Sequence, residues 1–224
     1  MKATLPRIVF AILAALSSVA GCLSKPAMVS QSYTIDPPAP QSATVLEGVT
    51  LALARVEVAP PYSGHSLVYR TGEHGLRRDP YARLVAPPGW LLTAAIRGYL
   101  TNADFIRDVV APGGGTGSQA TVEVAVIKLE GELRPGSSSA VMTLRFRVSS
   151  DFGSVHGTSD EILLKSYSKS IPIPRSTAKD VVNGWNQGLA EIMADFQADL
   201  RASLAAAGVP LTGGRFREAT PAAR

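Results

Sequence analysis

The side chain with the most distinctive chemistry is Cys22, the one cysteine among 224 residues. A lone thiol cannot close an internal disulfide. It follows a basic start with Lys2 and Arg7, an apolar run from Ile8 to Leu16, and the small residues Ser17, Ser18, Ala20 and Gly21. That order is the pattern of a secretory signal peptide. The apolar run falls short of the roughly 18–20 residues that a spanning helix needs, so it makes a poor permanent anchor.

Other residue types that could do chemistry lack the spacing for it. His65, His74 and His156 are scattered, with no pair at i, i+4 and no cysteine beside them, which is not metal-site spacing. Gly115-Thr116-Gly117-Ser118-Gln119-Ala120 matches the dinucleotide fingerprint G-x-G-x-x-A. That motif needs a helix to follow, because the helix amino terminus holds the pyrophosphate, and here Thr121–Leu133 alternates like a strand. No glycine run ends in G-K-[ST], and no G-x-S-x-G elbow is present. Asp160 and Glu161 are adjacent carboxylates, but strand neighbours point to opposite faces, which is wrong for shared acid–base work. No catalytic residue, cofactor site or metal site is expected, and the chain does not read as an enzyme.

Val19-Ala20-Gly21-Cys22 resembles the lipobox of bacterial lipoproteins. The resemblance implies a diacylglyceryl group on the Cys22 sulfur, cleavage between Gly21 and Cys22, and acylation of the new amino group. One acyl chain holds a protein marginally, whereas two or more anchor it stably. Leu23, not aspartate, follows the cysteine, which by analogy with enteric bacteria favours sorting to the outer membrane, with the domain on its periplasmic face.

Loss of Lys2 and Arg7 with the signal lowers the formal charge from +4 to +2. There is no run of five like charges and no interleaving of aromatic with basic residues, so a nucleic-acid surface is not expected.

The elements must then form one core. Ser32–Asp36 predicts a short first strand, Gly48–Pro60 a second with a slip near Ala54-Arg55, and Ser66–Arg70 a third. Pro87-Pro88-Gly89 opens a helix whose apolar residues Leu91, Leu92, Ala95, Ile96, Tyr99 and Leu100 share one side, with a stop at Asn102. Strands follow over Phe105–Val110, Thr121–Leu133 (with a local break before Leu129), Val141–Ser149 and Ser159–Lys169. Thr177 caps the last helix, with Asp180 in its first turn. Val181, Trp185, Leu189, Ile192, Met193, Phe196, Leu200 and Leu204 form one stripe along it, and Gly208 and Pro210 end it. The expected class is α+β: a single mixed, mainly antiparallel sheet with two helices packed on one face. The expected organisation is a signal peptide over 1–21, lipidated cysteine and tether over 22–31, one domain over 32–208, and a disordered tail over 209–224.

The stretches "SYTIDPP" (Ser32–Pro38), "LVYR" (Leu67–Arg70), "DPYARLVAPPGW" (Asp79–Trp90) and "KSYSKSIPIP" before Thr177 resemble the ABC-type transport auxiliary lipoproteins, whose familiar type is the PqiC-like lipoprotein. Leu84 stands near a tryptophan of that pattern, and Trp90 is expected to take over its packing. The resemblance implies a non-catalytic periplasmic component serving an inner-membrane ABC transporter and an MCE-type protein that move lipids or other apolar molecules between membranes. Two other readings stay open: a structural lipoprotein that braces an outer-membrane complex, and a lipid-carrying periplasmic module. Self-association into a homo-oligomer is also left open. Thr71–Gly89 reads as the longest irregular stretch, and its Arg77, Arg78, Tyr81 and Arg83 are the expected partner interface, since arginine and tyrosine are enriched at hot spots. Arg145 and Arg147, exposed on a later strand, are the alternative.

Overall fold

The computed structural model describes residues 29–38, 47–113, 117–134, 136–150 and 160–211. The signal peptide, Gly21, Cys22, most of the tether, His156 and the end of the tail therefore lie outside the described residues. Nine strands form one sheet: β1 (Gln31–Tyr33), β2 (Val49–Leu53), β3 (Glu57–Val58), β4 (Ser66–Arg70), β5 (Leu76–Leu84), β6 (Ile106–Val110), β7 (Ala120–Arg134), β8 (Ser137–Ser150) and β9 (Asp160–Pro172). Among the described residues two helices complete the domain, α1 (Pro88–Thr101) and α2 (Ala178–Ala206), with a 3-10 turn at Pro60–Tyr62. The class is the α+β class that the sequence predicts.

The fifteen-residue β7 is the spine of the sheet. Along one side it pairs antiparallel with β8 over nearly its whole length, and β8 pairs antiparallel with β9. Along the other side three short strands, β2, β3 and β4, pair with it in parallel, one after another. The sheet therefore forks. Its first arm continues from β2 to β6, and its second from β4 through β5 to β1. The expected long second strand is two strands, β2 and β3, with residues 54–56 as the interruption near the anticipated slip.

Both helices cover one face. Leu92, Ile96, Tyr99 and Leu100 of α1 and all eight stripe residues of α2 are buried. Opposite α2, Ala140, Met142, Leu144, Phe146 and Val148 of β8 are buried while Arg145 and Arg147 are exposed, the alternation of a half-buried antiparallel strand. Phe146 stacks on Phe196 with ring centroids 3.9 Å apart, and Tyr167 of β9 meets both rings edge-on. Lys165 Nζ reaches Asp199 at 2.7 Å and Lys169 Nζ reaches Asp195 at 2.9 Å, closing the seam between β9 and α2. Val209 and Leu211, at the start of the expected tail, still pack against this core.

Two expectations need correction. Residues 76–84 are not irregular: they form β5, paired antiparallel with β4 and parallel with β1. Most of its side chains are exposed, so no alternation marks it in the sequence. Trp90 does not take over the packing near Leu84. Leu84 itself is in the core, and Trp90 is 59 % exposed beneath the Arg55 guanidinium, 4.0 Å from the ring centroid. The first helical turn points it outward while Leu92 takes the inward place.

Candidate functional site

β5 carries an irregularity that arranges its side chains. Val68 pairs with Arg78 and Ser66 with Arg83, so residues 79–82 oppose a single residue of β4. The Asp79 carboxylate holds this bulge. One oxygen accepts the backbone N–H groups of Tyr81 and Ala82, each at 2.8 Å, and the other accepts the Tyr69 hydroxyl at 2.8 Å. Burial pushes the Asp79 carboxyl up, but these hydrogen bonds and nearby Arg77 outweigh it and hold the group below the ordinary aspartate value. Pro80, which has no N–H to give, sits inside the bulge, where a ladder hydrogen bond is already absent.

The bulge also sorts the expected interface residues. Arg77 pairs with Tyr69, whose ring meets the α2 side chain Val181 over Gly131, so Arg77 lies on the helix face. Its guanidinium stands 5.7 Å from the Tyr69 ring centroid. Arg78 and Arg83 pair with Val68 and Ser66, which share the face turned away from the helices. Tyr81, two residues before Arg83, is exposed. The structure therefore brings Arg78, Tyr81 and Arg83 together and separates Arg77 from them.

On the same helix-free face lies a buried ionic cluster that the sequence analysis missed. Glu130 of β7 is 1 % exposed. Its carboxylate accepts Arg70 Nε at 2.6 Å, Arg70 Nη2 at 3.0 Å and the Tyr62 hydroxyl at 2.6 Å. Burial pushes the Glu130 carboxyl up, yet the Arg70 and Tyr62 hydrogen bonds prevail and it titrates below the ordinary value. Burial and the neighbouring carboxylate push the Tyr62 hydroxyl up to about 12, and the Arg70 guanidinium is held charged. A register shift between Val126 and Lys128 turns Glu130 to this face. The break before Leu129 was the trace of it in the sequence. Nothing local revealed the partners, which come from 60 and 68 residues away. With every acceptor occupied, the cluster is a brace and offers no free base.

Farther along this face, Arg55, Glu57, Glu123, Arg145, Arg147 and Leu164 line a groove of about 440 Å³. Arg147 Nε bonds Glu161 at 2.8 Å, Arg145 Nε points to Ser166 Oγ at 3.4 Å, and Leu164 is 55 % exposed. Guanidinium forks of this kind recognise carboxylate or phosphate. The groove's lining sets the carboxylates Glu57 and Glu123 beside Arg55, Arg145 and Arg147. Among the described residues no cluster of three or more His, Cys, Asp or Glu could hold a metal ion, and no helix is long and apolar enough to cross a membrane.

A family model described as "ABC-type transport auxiliary lipoprotein component" matches residues 33–196, from β1 to the Phe196 turn of α2. The chain belongs to that family. Membership makes it a lipoprotein component associated with an ABC-type transport system, a family of transport parts and not of catalysts. Among solved structures, protein XCC0632 from Xanthomonas campestris is similar with a TM-score of 0.67 at 12 % identity, covering 80 % of this chain and 100 % of that one. A second structure, described as an uncharacterized protein, has a TM-score of 0.58 at 15 % identity and covers 77 % of this chain and 99 % of its own. At such identities the likeness is one of fold. No curated protein matches the chain.

Proposed function

We propose that the chain is the outer-membrane-anchored, periplasmic auxiliary component of an ABC/MCE-type system that moves lipids or other apolar molecules between membranes. The observation that carries this reading is the family match over residues 33–196, which spans all nine strands and both helices apart from the margins of β1 and α2. Cys22 supplies the anchor in this proposal, by acylation on sulfur and on the amino group freed after Gly21. The helix-free sheet face supplies the docking surface for the transporter's MCE-type protein. On that face the groove sets Arg145 and Arg147, a residue type enriched at interface hot spots, beside the exposed Leu164. In β5, strand alternation sets Arg77 on the other face from Arg78, and the set that remains is the weaker docking surface for a protein.

Two measurements test the proposal. Cys22→Ala is expected to lose fatty-acid label and to leave the outer-membrane fraction, and retention of both would remove the anchor. Capture of the acylated protein from cross-linked envelopes should recover a permease, an ATPase or an MCE-type protein, and Arg145→Glu with Arg147→Glu should reduce that capture. Recovery of outer-membrane structural proteins alone would favour the bracing role instead.

A further inference from the structure

We propose that the outer margin of the β4–β5–β1 arm is a bilayer-docking surface that binds anionic phospholipid headgroups through Arg78, Arg83 and Tyr81. This rests on acylation at Cys22. The topology makes the argument. Gln31 of β1, the first residue of the domain proper, pairs with Ala82, and Ser32 pairs with Arg83. Cys22 lies nine residues upstream, and an extended chain spans at most about 3.3–3.6 Å per residue, so the anchor holds the bilayer within about 30 Å of this margin. Apart from β5, every other strand lies farther from Gln31 across the sheet. β9, at the far edge, is five strand positions from β1 in the order β1-β5-β4-β7-β8-β9, about 24 Å more.

The side chains on this margin suit a headgroup region. The bulge held by Asp79 puts Leu76, Arg78 and Arg83 on one face, because they pair with Arg70, Val68 and Ser66, alternate residues of a regular strand. Leu76 and Tyr81 are 42 % and 43 % exposed. Tyrosine settles at the membrane interface with its ring in the apolar boundary, and guanidinium forks match phosphate oxygens. Without the bulge, Tyr81 and Arg83 would face the opposite way from Arg78. Asp79 stays ionised, but its oxygens are directed to two backbone N–H groups and to the Tyr69 hydroxyl on the helix side. Arg77 faces the helices and serves as a control of equal charge one residue away.

The test uses the full mature chain with Cys22→Ala, so that no acyl group contributes, and vesicles of phosphatidylcholine with or without phosphatidylglycerol. Sedimentation with the phosphatidylglycerol vesicles, weakened by salt, is expected. Each basic residue near an anionic surface is worth roughly fivefold in partitioning, so Arg78→Ala with Arg83→Ala should lose about 25-fold. Arg78→Lys with Arg83→Lys should keep most of the binding, and Arg77→Ala should leave it unchanged. Absence of phosphatidylglycerol-dependent binding, or an Arg77→Ala loss equal to that of Arg83→Ala, overturns the proposal. So does a double variant that binds vesicles normally but no longer captures the transporter, which would make the margin a protein interface. Acylation is read separately, by fatty-acid labelling of the unsubstituted chain, so failure here leaves that reading standing.

Discussion

The two sides of β7 are held by different means. Toward β8 and β9 the strand belongs to a long antiparallel sheet under α2, each ladder broken by a single register shift, where Phe146, Phe196, Trp185 and their neighbours form a buried layer. Toward β4, β5 and β1 the ladders are short, a bulge interrupts them, and a buried carboxylate joins strands that share few backbone bonds. The first side is stabilised by apolar area and shape, so its cost is spread over many contacts. The second concentrates stability in Glu130 and Asp79. Each arrangement also leaves a different surface: the β8–β9 side commits one face to α2, while the arm keeps charged groups near its margin.

Trp185 connects the two sides, and its removal should have the largest effect. The ring is 1 % exposed, and its indole N–H donates to the Glu130 carbonyl oxygen at 3.2 Å. Trp185→Ala removes the packing of α2 and leaves a buried carbonyl lone pair without its donor. The expected loss is about 3–5 kcal/mol by chemical denaturation. A loss below about 1 kcal/mol would mean that α2 and the arm are not joined through this ring.

Glu130 tests the arm by itself. Glu130→Gln keeps the shape but leaves the Arg70 guanidinium, whose side chain is 20 % exposed, facing a neutral amide. Breaking a buried pair costs about 3–5 kcal/mol, and the partial exposure of Arg70 reduces the expectation to about 2–3. Glu130→Leu with Arg70→Met should cost less than the two single changes together, because no lone charge is left. The pH dependence follows the same group. Its folded value lies below the unfolded one, so its contribution is complete above the ordinary glutamate range near 4.3. It is lost as pH falls through the folded value. Melting curves between neutral and acid pH should therefore flatten in Glu130→Gln, with Asp79 and Asp199, also depressed, keeping part of the slope.

What could be read from the sequence divides along the same line. The α2 stripe from Val181 to Leu204 was legible because a helix on a sheet repeats apolar residues at fixed spacing, and all eight are buried. The alternation of Leu144, Phe146 and Val148 against Arg145 and Arg147 was legible for the same reason. β5 was not, since Arg77, Arg78, Pro80 and Arg83 carry no apolar rhythm and the strand exists because β4 and β1 flank it. The starts of β8 and the end of β9 extend beyond their expected bounds through Ser137–Ala140 and Ser170–Pro172, small or edge residues with little pattern of their own. The Arg70–Glu130–Tyr62 cluster joins a neighbouring pair to a residue 60 or more positions away, and no local signal encodes that meeting.

Two glycines on α2 sharpen the account of the β8–β9 side. A Cβ at Gly184 would stand 2.5 Å from the Ala140 Cβ, whereas one at Gly188 would find Ile171 at 3.5 Å, an ordinary contact. Gly184→Ala should therefore cost about 1–2 kcal/mol, overpacking set against the helix propensity that alanine adds. Gly188→Ala, one turn later, should stabilise by up to about 1 kcal/mol. Opposite signs in the two melting temperatures would show that α2 is seated on β8 by shape at Gly184. Equal signs would mean that the helix can shift on its bed.

The smallest expected effect lies at the start of α2, where the β8–β9 side meets solvent. Thr177 Oγ1 accepts the Asp180 backbone N–H at 3.2 Å and donates to the Asp180 carboxylate at 2.7 Å, while Arg175 Nε approaches the same carboxylate at 3.2 Å. Thr177→Ala removes the cap and should cost about 1 kcal/mol, a fall of roughly 2–4 °C for a domain of this size. Thr177→Ser should restore most of it, since the hydroxyl does the capping. The size of the loss then measures how far the sheet holds α2 without its first turn. Because the next buried residues, Val181 and Trp185, follow within two turns, a loss confined to about 1 kcal/mol means that packing keeps the helix in place once its cap is gone. A loss approaching that of Trp185→Ala would instead make the first turn the point from which α2 docks, and the buried layer would then depend on a local hydrogen bond much as the arm depends on Glu130.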